Sequence, residues 1–251
     1  MGFFDLFKKE GRDERAREKQ IKRAVNKFSQ SPDRMKALQS LRDDGSPEAI
    51  YGLLRRFGMM YDKTIEDEQE KDYVFDMLVA KGPSIIPSVQ KYLFSAESIS
   101  WPLRVLDKVA DKEQELEVLR AVLDRHEPGY ERDPTKKIQL MNHLGALKDK
   151  RVTELVLPYL ADMDEGVRYA AVEALVGQGD EAAAREPLLA HFVSSSEDSL
   201  RIRIQIAEGL AELGWLVKGY RGELEKLLPE QFQIDREGHV KRKPDANRKD
   251  T

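Results

Sequence analysis

Four histidines are the residues through which this chain could most directly do chemistry: His126, His143, His191 and His239. Imidazole titrates near neutrality and, when neutral, ligates metals. A helical metal site needs two of them at H-x-x-x-H spacing, so that both rings share one face, and no pair here has that spacing. His191 has neither an acid nor a histidine four residues on. His126, in "DRHEPG", falls at a helix end, where the dipole favours a cation. His143 falls in a core-facing column described below, which predicts a buried ring with a satisfied hydrogen bond. His239 belongs to the C-terminal tail.

Other chemistry lacks a signature. There is no cysteine, hence no disulfide framework, zinc knuckle or thiol nucleophile, and this fits a reducing compartment. G-x-S-x-G, the P-loop and G-x-G-x-x-G after a strand are missing; "GQGDEA" ends a helix and lacks the third glycine. Among 46 acidic residues a carboxylate pair carries no information. The expectation is no catalytic residue, no cofactor and no metal.

The elements that would position any site are helices. With 40% apolar and 35% charged residues, the composition suits helices having one buried stripe and one charged face. No apolar run approaches the roughly 18–20 residues that span a bilayer, and the N-terminus lacks a secretory apolar region, so a soluble cytoplasmic protein is expected. The net charge of −4 is uneven: residues 1–27 hold nine Lys/Arg against five Asp/Glu, and residues 236–251 six against three. Residues 28–235 therefore carry −4 − 4 − 3 = −11. An acidic body repels phosphate backbones, which disfavours nucleic acid as a partner.

Internal repetition organises that body. In "DEGVRYAAVEALVGQGD", residues Val167, Ala170, Ala171, Ala174 and Leu175 lie on one helical face, and Gly179 supplies a stop in the left-handed conformation. A second helix follows, with Leu188, Leu189 and Phe192 apolar. Counterparts of Leu175 are Leu41, Leu78, Leu106, Leu144 and Leu210, spaced 37, 28, 38, 31 and 35 residues apart. Four residues beyond each leucine stand Gly45, Gly82, Ala110, Lys148, Gly179 and Gly214. The glycine column is independent support for the register. His143 aligns with Ala174.

These segments resemble HEAT repeats, in particular the short bacterial kind called PBS-lyase HEAT-like repeats. "DEGVRYAAVEALVGQGD" is similar to a first helix and its turn, "KGPSIIPSVQKYL" (81–93) to a turn and second helix with Pro87, and "EDSLRIRIQIAEGLAELG" (197–214) to another first helix. The likeness is good across 133–228 and fainter across 33–125; the unit at Leu106 is short, and Ile65–Lys71 follows an irregular insertion. Such arrays tolerate both, because each unit contacts only its neighbours. The resemblance implies an all-α, right-handed α-α superhelix, a HEAT-like solenoid of about six helix pairs with atypical capping ends. It also implies an adaptor or scaffold that binds a macromolecular partner along a concave face lined by the second helices. Two related groups are enzymatic. HEAT-like alkylpurine DNA glycosylases use a basic, aromatic groove with a carboxylate, whereas this body is acidic and Trp101 and Trp215 fall in helix or turn columns. Phycobilin lyases share the repeat type and remain the other enzyme-class alternative.

One column is basic. Arg168 is matched by Arg34, Lys71, Ile99, Lys137 and Arg203. Its functional reading is a cationic strip for an anionic partner. Its structural reading is a ladder in which each cation binds an acid near the preceding turn and fixes the stacking of repeats; Asp162, Asp164, Glu197 and Asp198 are the acids at hand. The ladder is the preferred reading.

The ends depart from the repeat. On a helix, Phe3, Phe4 and Phe7 of "MGFFDLFKK" lie together with Leu6 at the edge, while Lys8 and Lys9 point away. Such a segment can cap the first repeat, dock on a partner, or make weak membrane contact, each apolar side chain contributing roughly 1.5–3 kcal/mol gross and each nearby cation about 1. Leu6 stands where myristoylation requires Ser or Thr after Gly2. Beyond Pro229, Phe232, Ile234 and Val240 around "DREG" suggest a hairpin or extended cap, and past Lys243 the composition is that of a solvated tail. The expected division is 1–31 as a basic N-terminal segment, 32–228 as the array, and 229–251 as hairpin and tail. Residence is cytoplasmic, with residues 3–9 allowing peripheral contact at the inner face of a membrane.

Overall fold

The leucine column is the spine of the fold. Leu41, Leu78, Leu106, Leu144, Leu175 and Leu210 are all buried, none more than 1% exposed. Each lies near the end of a first helix, and four are followed by glycine at φ +63 to +67°. A left-handed residue is strained for any side chain bearing Cβ, which explains glycine at those four turns. At Ala110 and Lys148, the other two positions of the column, helices end instead on extended residues, Ala110 and Leu147.

The computed structural model describes residues 3–61 and 64–244, with backbone alone for residues 3–10. Its contacts divide into two compact units, residues 1–125 and 126–251. No helix among the described residues is long and apolar enough to cross a membrane.

The first unit holds α1 (Phe3–Ala24), α2 (Ser31–Asp44), α3 (Pro47–Leu54), α4 (Thr64–Val79), α5 (Ile86–Ser95), α6 (Ser100–Val109) and α7 (Lys112–Leu123). Helices α2–α3, α4–α5 and α6–α7 form three successive pairs. Short 3-10 turns lie at Arg55–Gly58 and Gly82–Ile85. Helix α1 packs on α2 and α3 through Ile21 and Ala24, and Gly52 of α3 makes room for it: a Cβ there would lie 2.5 Å from Ile21 Cγ1. The second half of α1 thus covers the first repeat, while Arg12–Ala16 in its first half are exposed.

The second unit holds α8 (Thr135–Ala146), α9 (Arg151–Val156), α10 (Glu165–Gln178), α11 (Glu181–Val193), α12 (Leu200–Leu213) and α13 (Arg221–Leu227), again three pairs, with a 3-10 turn at Leu157–Ala161. The first helices α8, α10 and α12 pack in succession. Small residues set their approach. A Cβ on Gly145 would stand 3.0 Å from Ala174 Cα, and one on Gly209 2.4 Å from a Val176 methyl. Helix starts are capped from the sequence: Asp164 accepts from Val167 N–H at 3.0 Å, and Ser199 from Ile202 N–H at 3.3 Å. The hairpin forms from β1 (Phe232–Ile234) and β2 (Val240–Arg242), antiparallel with Ile234 opposite Val240. Phe232 and Val240 are buried, and β2 packs on α12, so the hairpin covers the last pair.

Candidate functional site

The basic column converges on the turns between repeats. In the second unit Lys137, rising from α8, places Nζ 2.7 Å from Asp162 Oδ2 and donates to the Gly129 carbonyl at 2.7 Å. Asp162 also accepts from the N–H groups of Gly129 (3.1 Å) and Asp164 (2.9 Å), so its carboxylate knots two turns together. One repeat later Arg168, from α10, donates Nε to Glu197 Oε2 at 2.8 Å and Nη2 to Oε1 at 3.2 Å. Its Nη1 reaches back to the carbonyls of Asp162 (3.0 Å) and Met163 (3.2 Å). Arg203, from α12, bonds the carbonyls of Phe192 (3.2 Å), Ser194 (3.4 Å) and Glu197.

The direction differs from the sequence expectation. A cation takes carbonyls from the turn before its own helix, whereas its carboxylate comes from the turn before the next first helix. Two of the four acids proposed from sequence stand elsewhere. Asp164 caps α10, and Asp198 is exposed to solvent.

In the first unit the same column builds a denser knot. Arg34 of α2 donates Nη2 to Glu70 Oε1 at 2.7 Å, and donates to the Ser29 carbonyl. Arg56 donates Nε to Glu70 Oε2 at 3.0 Å and Nη2 to Asp67 Oδ1 at 2.7 Å. Lys71 bonds Asp67 Oδ2 on its own helix. All five residues are at most 6% exposed, and the Tyr61 ring lies 3.9 and 4.6 Å from the Arg34 and Arg56 guanidinium carbons. Burial pushes the Tyr61 hydroxyl up to about 12 against the pull of Arg56. Ile99, the apolar member of the column, is fully buried. Sequence reasoning missed Arg56 and Glu70. The available signal was a charge pair interrupting the apolar run "YGLLRRFGMM".

Burial alone would raise the Glu70 and Glu197 carboxyls, but hydrogen bonds from Arg34 and Arg56 on one, and from Arg168 and the Ser199 N–H on the other, hold both below 4.5. Burial lowers His126 and His191 below 6.5. Both signs agree: each depressed group gives stability that is present above its unfolded value and lost as pH falls through it. Thermal stability should therefore fall in two stages as the pH drops, first below 6.5 and again below 4.5. Replacing both histidines by glutamine should remove the first stage in a pH series of melting temperatures and leave the second.

The histidines stand in structural settings. His126 lies beyond the end of α7 with Nδ1 2.9 Å from Glu131 Oε1; burial lowers its pKa, which works against the cation expected at a helix end. His143 is half-buried, not buried. His191 Nε2 lies 2.9 Å from Glu197 Oε2 without hydrogen-bond alignment. His239 sits in the hairpin turn instead of a free tail, where its ligand atoms and those of Asp235 and Glu237 fall within 4.8 Å of one another. Asp235 Oδ1 there accepts the N–H groups of Glu237, Gly238 and His239 at 2.9–3.0 Å, which is the work of a turn.

The side chains of Phe3, Phe4, Leu6, Phe7, Lys8 and Lys9, the sequence candidates for partner or membrane contact, lie outside the described set. What the sequence did not reveal is a set of exposed apolar side chains at the turns. Phe28, Met60 and Ile65 occupy turns or helix starts of the first unit. Tyr130 (80% exposed), Met163 (69%) and Leu200 (60%) occupy those of the second.

Comparison with known proteins gives a partial match. The family model described as HEAT repeats matches residues 116–211. The structure of human deoxyhypusine hydroxylase in complex with glycerol is similar at 16% sequence identity over 85% of this chain and 89% of that one, with a TM-score of 0.32. No curated protein matches the sequence.

Proposed function

We propose that this chain, whose residues 116–211 match the family model described as HEAT repeats, is a non-catalytic scaffold, an adaptor that holds a protein partner on its repeat surface. One observation carries the reading. Tyr130, Met163 and Leu200 stand in or beside the leading turns of three successive repeats and leave most of their surface in water. Large apolar side chains gathered on one exposed surface mark an interaction site. The support falls on the turns, not on the second helices toward which the sequence pointed. The ladder is consistent with a structural base beneath this surface: Lys137, Asp162, Arg168 and Glu197 are occupied in joining one repeat to the next. In this reading no residue is catalytic and no cofactor is bound.

The test is site-specific photo-crosslinking in cells. A benzophenone side chain at Met163 should capture a defined protein, while one at the exposed Lys226 of α13 should not. Tyr130→Asp with Leu200→Asp should abolish capture by the benzophenone at Met163 without moving the melting temperature. Equal background capture at both positions sinks the proposal.

A further inference from the structure

The surface of the second unit also says what chemistry would fit it. The turns that carry its three exposed apolar side chains are joined by the bonds of the ladder. Gly129, next to Tyr130, donates to Asp162, next to Met163. The Met163 carbonyl accepts from Arg168, whose other branch holds Glu197, and the Ser199 hydroxyl beside Leu200 donates to Glu165 at 2.8 Å. The three turns are therefore neighbours in three successive repeats, and the three side chains make one row in that order. Around the row Glu127, Asp133, Glu165 and Asp198 are exposed, against Arg132 and Arg201. Arg201 lies over the Tyr169 ring at 3.7 Å. Residues 126–235 as a whole hold 20 Asp/Glu and 13 Lys/Arg, so 13 − 20 = −7 of the acidic surplus lies here. The fitting occupant is an apolar segment bearing lysine and arginine.

The chain itself contains one. Residues 1–27 carry nine Lys/Arg against five Asp/Glu, and their first nine residues hold Phe3, Phe4, Leu6 and Phe7 followed by Lys8 and Lys9. Helix α1 is anchored by Ile21 and Ala24, with Arg12–Ala16 exposed. Resting on the reading of the turns as a docking surface, we propose that residues 3–9 of one copy dock on the Tyr130–Met163–Leu200 row of a second copy. The two surfaces differ, so the contact is heterologous, closing into a ring or running on as a filament according to the rotation between copies. It joins an acidic face to a basic segment and weakens with salt.

Sedimentation velocity of the full chain tests this. Wild type should show a weight-average mass above the 28.8 kDa monomer, rising with concentration and falling with salt. Met163→Asp/Leu200→Asp, which spoils the row, and Phe4→Ser/Phe7→Ser, which spoils the segment, should each sediment as monomers with unchanged circular dichroism. Mixed in equal amounts they should form a dimer and stop, because one retains a sound segment and the other a sound row. A monomeric wild type, or variants that associate like wild type, overturns the proposal. Co-sedimentation of monomeric wild type with anionic phosphatidylserine vesicles, lost in Phe4→Ser/Phe7→Ser, also overturns it and assigns the segment to membranes. A monomeric wild type that still crosslinks another protein through Met163 overturns self-docking alone, whereas no capture and no association removes the scaffold reading as well.

Discussion

Glu70→Gln is expected to lower the stability of the first unit by about 3–5 kcal/mol, the range for removing one partner of a buried ion pair. Glutamine keeps the shape, so the change isolates charge. Glu70 is 3% exposed and joins two guanidiniums, Arg34 at 2.7 Å and Arg56 at 3.0 Å, that are themselves 4% and 0% exposed. Without it Arg34 loses its carboxylate and Arg56 keeps only Asp67, which Lys71 already shares, while the glutamine NH2 turns a donor toward a guanidinium that is itself a donor. By contrast, breaking the half-exposed Arg221–Glu225 pair at 2.9 Å should cost at most about 0.5 kcal/mol. The loss at Glu70 is a large part of the roughly 5–15 kcal/mol that holds a domain together. Trp101 lies in the first unit and Trp215 in the second, so fluorescence unfolding in a Trp215→Phe background reads the first unit by itself. An unchanged transition would mean that water reaches the cluster and that its charges are not in fact buried against one another.

What the sequence disclosed was local. Leu41 to Leu210 and the glycines after four of those leucines follow from helical periodicity and from the one residue that takes positive φ freely, and both are read within a dozen residues. The basic column was equally visible because repetition displays it. The partners were less so. Arg34 meets Glu70 across 36 residues, and Glu70 was one of 46 acids with nothing to single it out. Arg56 stands in a 3-10 turn outside every column, and so escaped a search built on columns. Asp164 and Asp198 were placed by proximity to the turn, but proximity does not decide between a cap, a bridge and solvent. Only the backbone path does, giving Val167 N–H to Asp164 and leaving the bridge to Asp162. The exposed row of Tyr130, Met163 and Leu200 has no periodic sign at all, since an apolar residue in a turn is as readily tucked under as left in water.

Lys137→Met should cost the second unit about 3–5 kcal/mol for a related reason, but here a second substitution recovers part of it. Lys137 and Asp162 are 1% and 2% exposed, so loss of the ammonium strands a carboxylate that retains only the N–H groups of Gly129 and Asp164. Adding Asp162→Asn removes the stranded charge while its Oδ1 still accepts from the Asp164 N–H, at the loss of the bond from the Gly129 N–H to Oδ2. The double variant should therefore be more stable than the sum of the two single changes predicts by about 1–3 kcal/mol, a coupling within the range found for residues in direct contact. Unfolding in a Trp101→Phe background, followed at Trp215, measures it. The cycle also decides between the two readings of the basic column. A rung that joins repeats shows the large single effect and the recovery. A cation held for an anionic partner would leave stability nearly unmoved by Lys137→Met, and Asp162→Asn would then act independently of it.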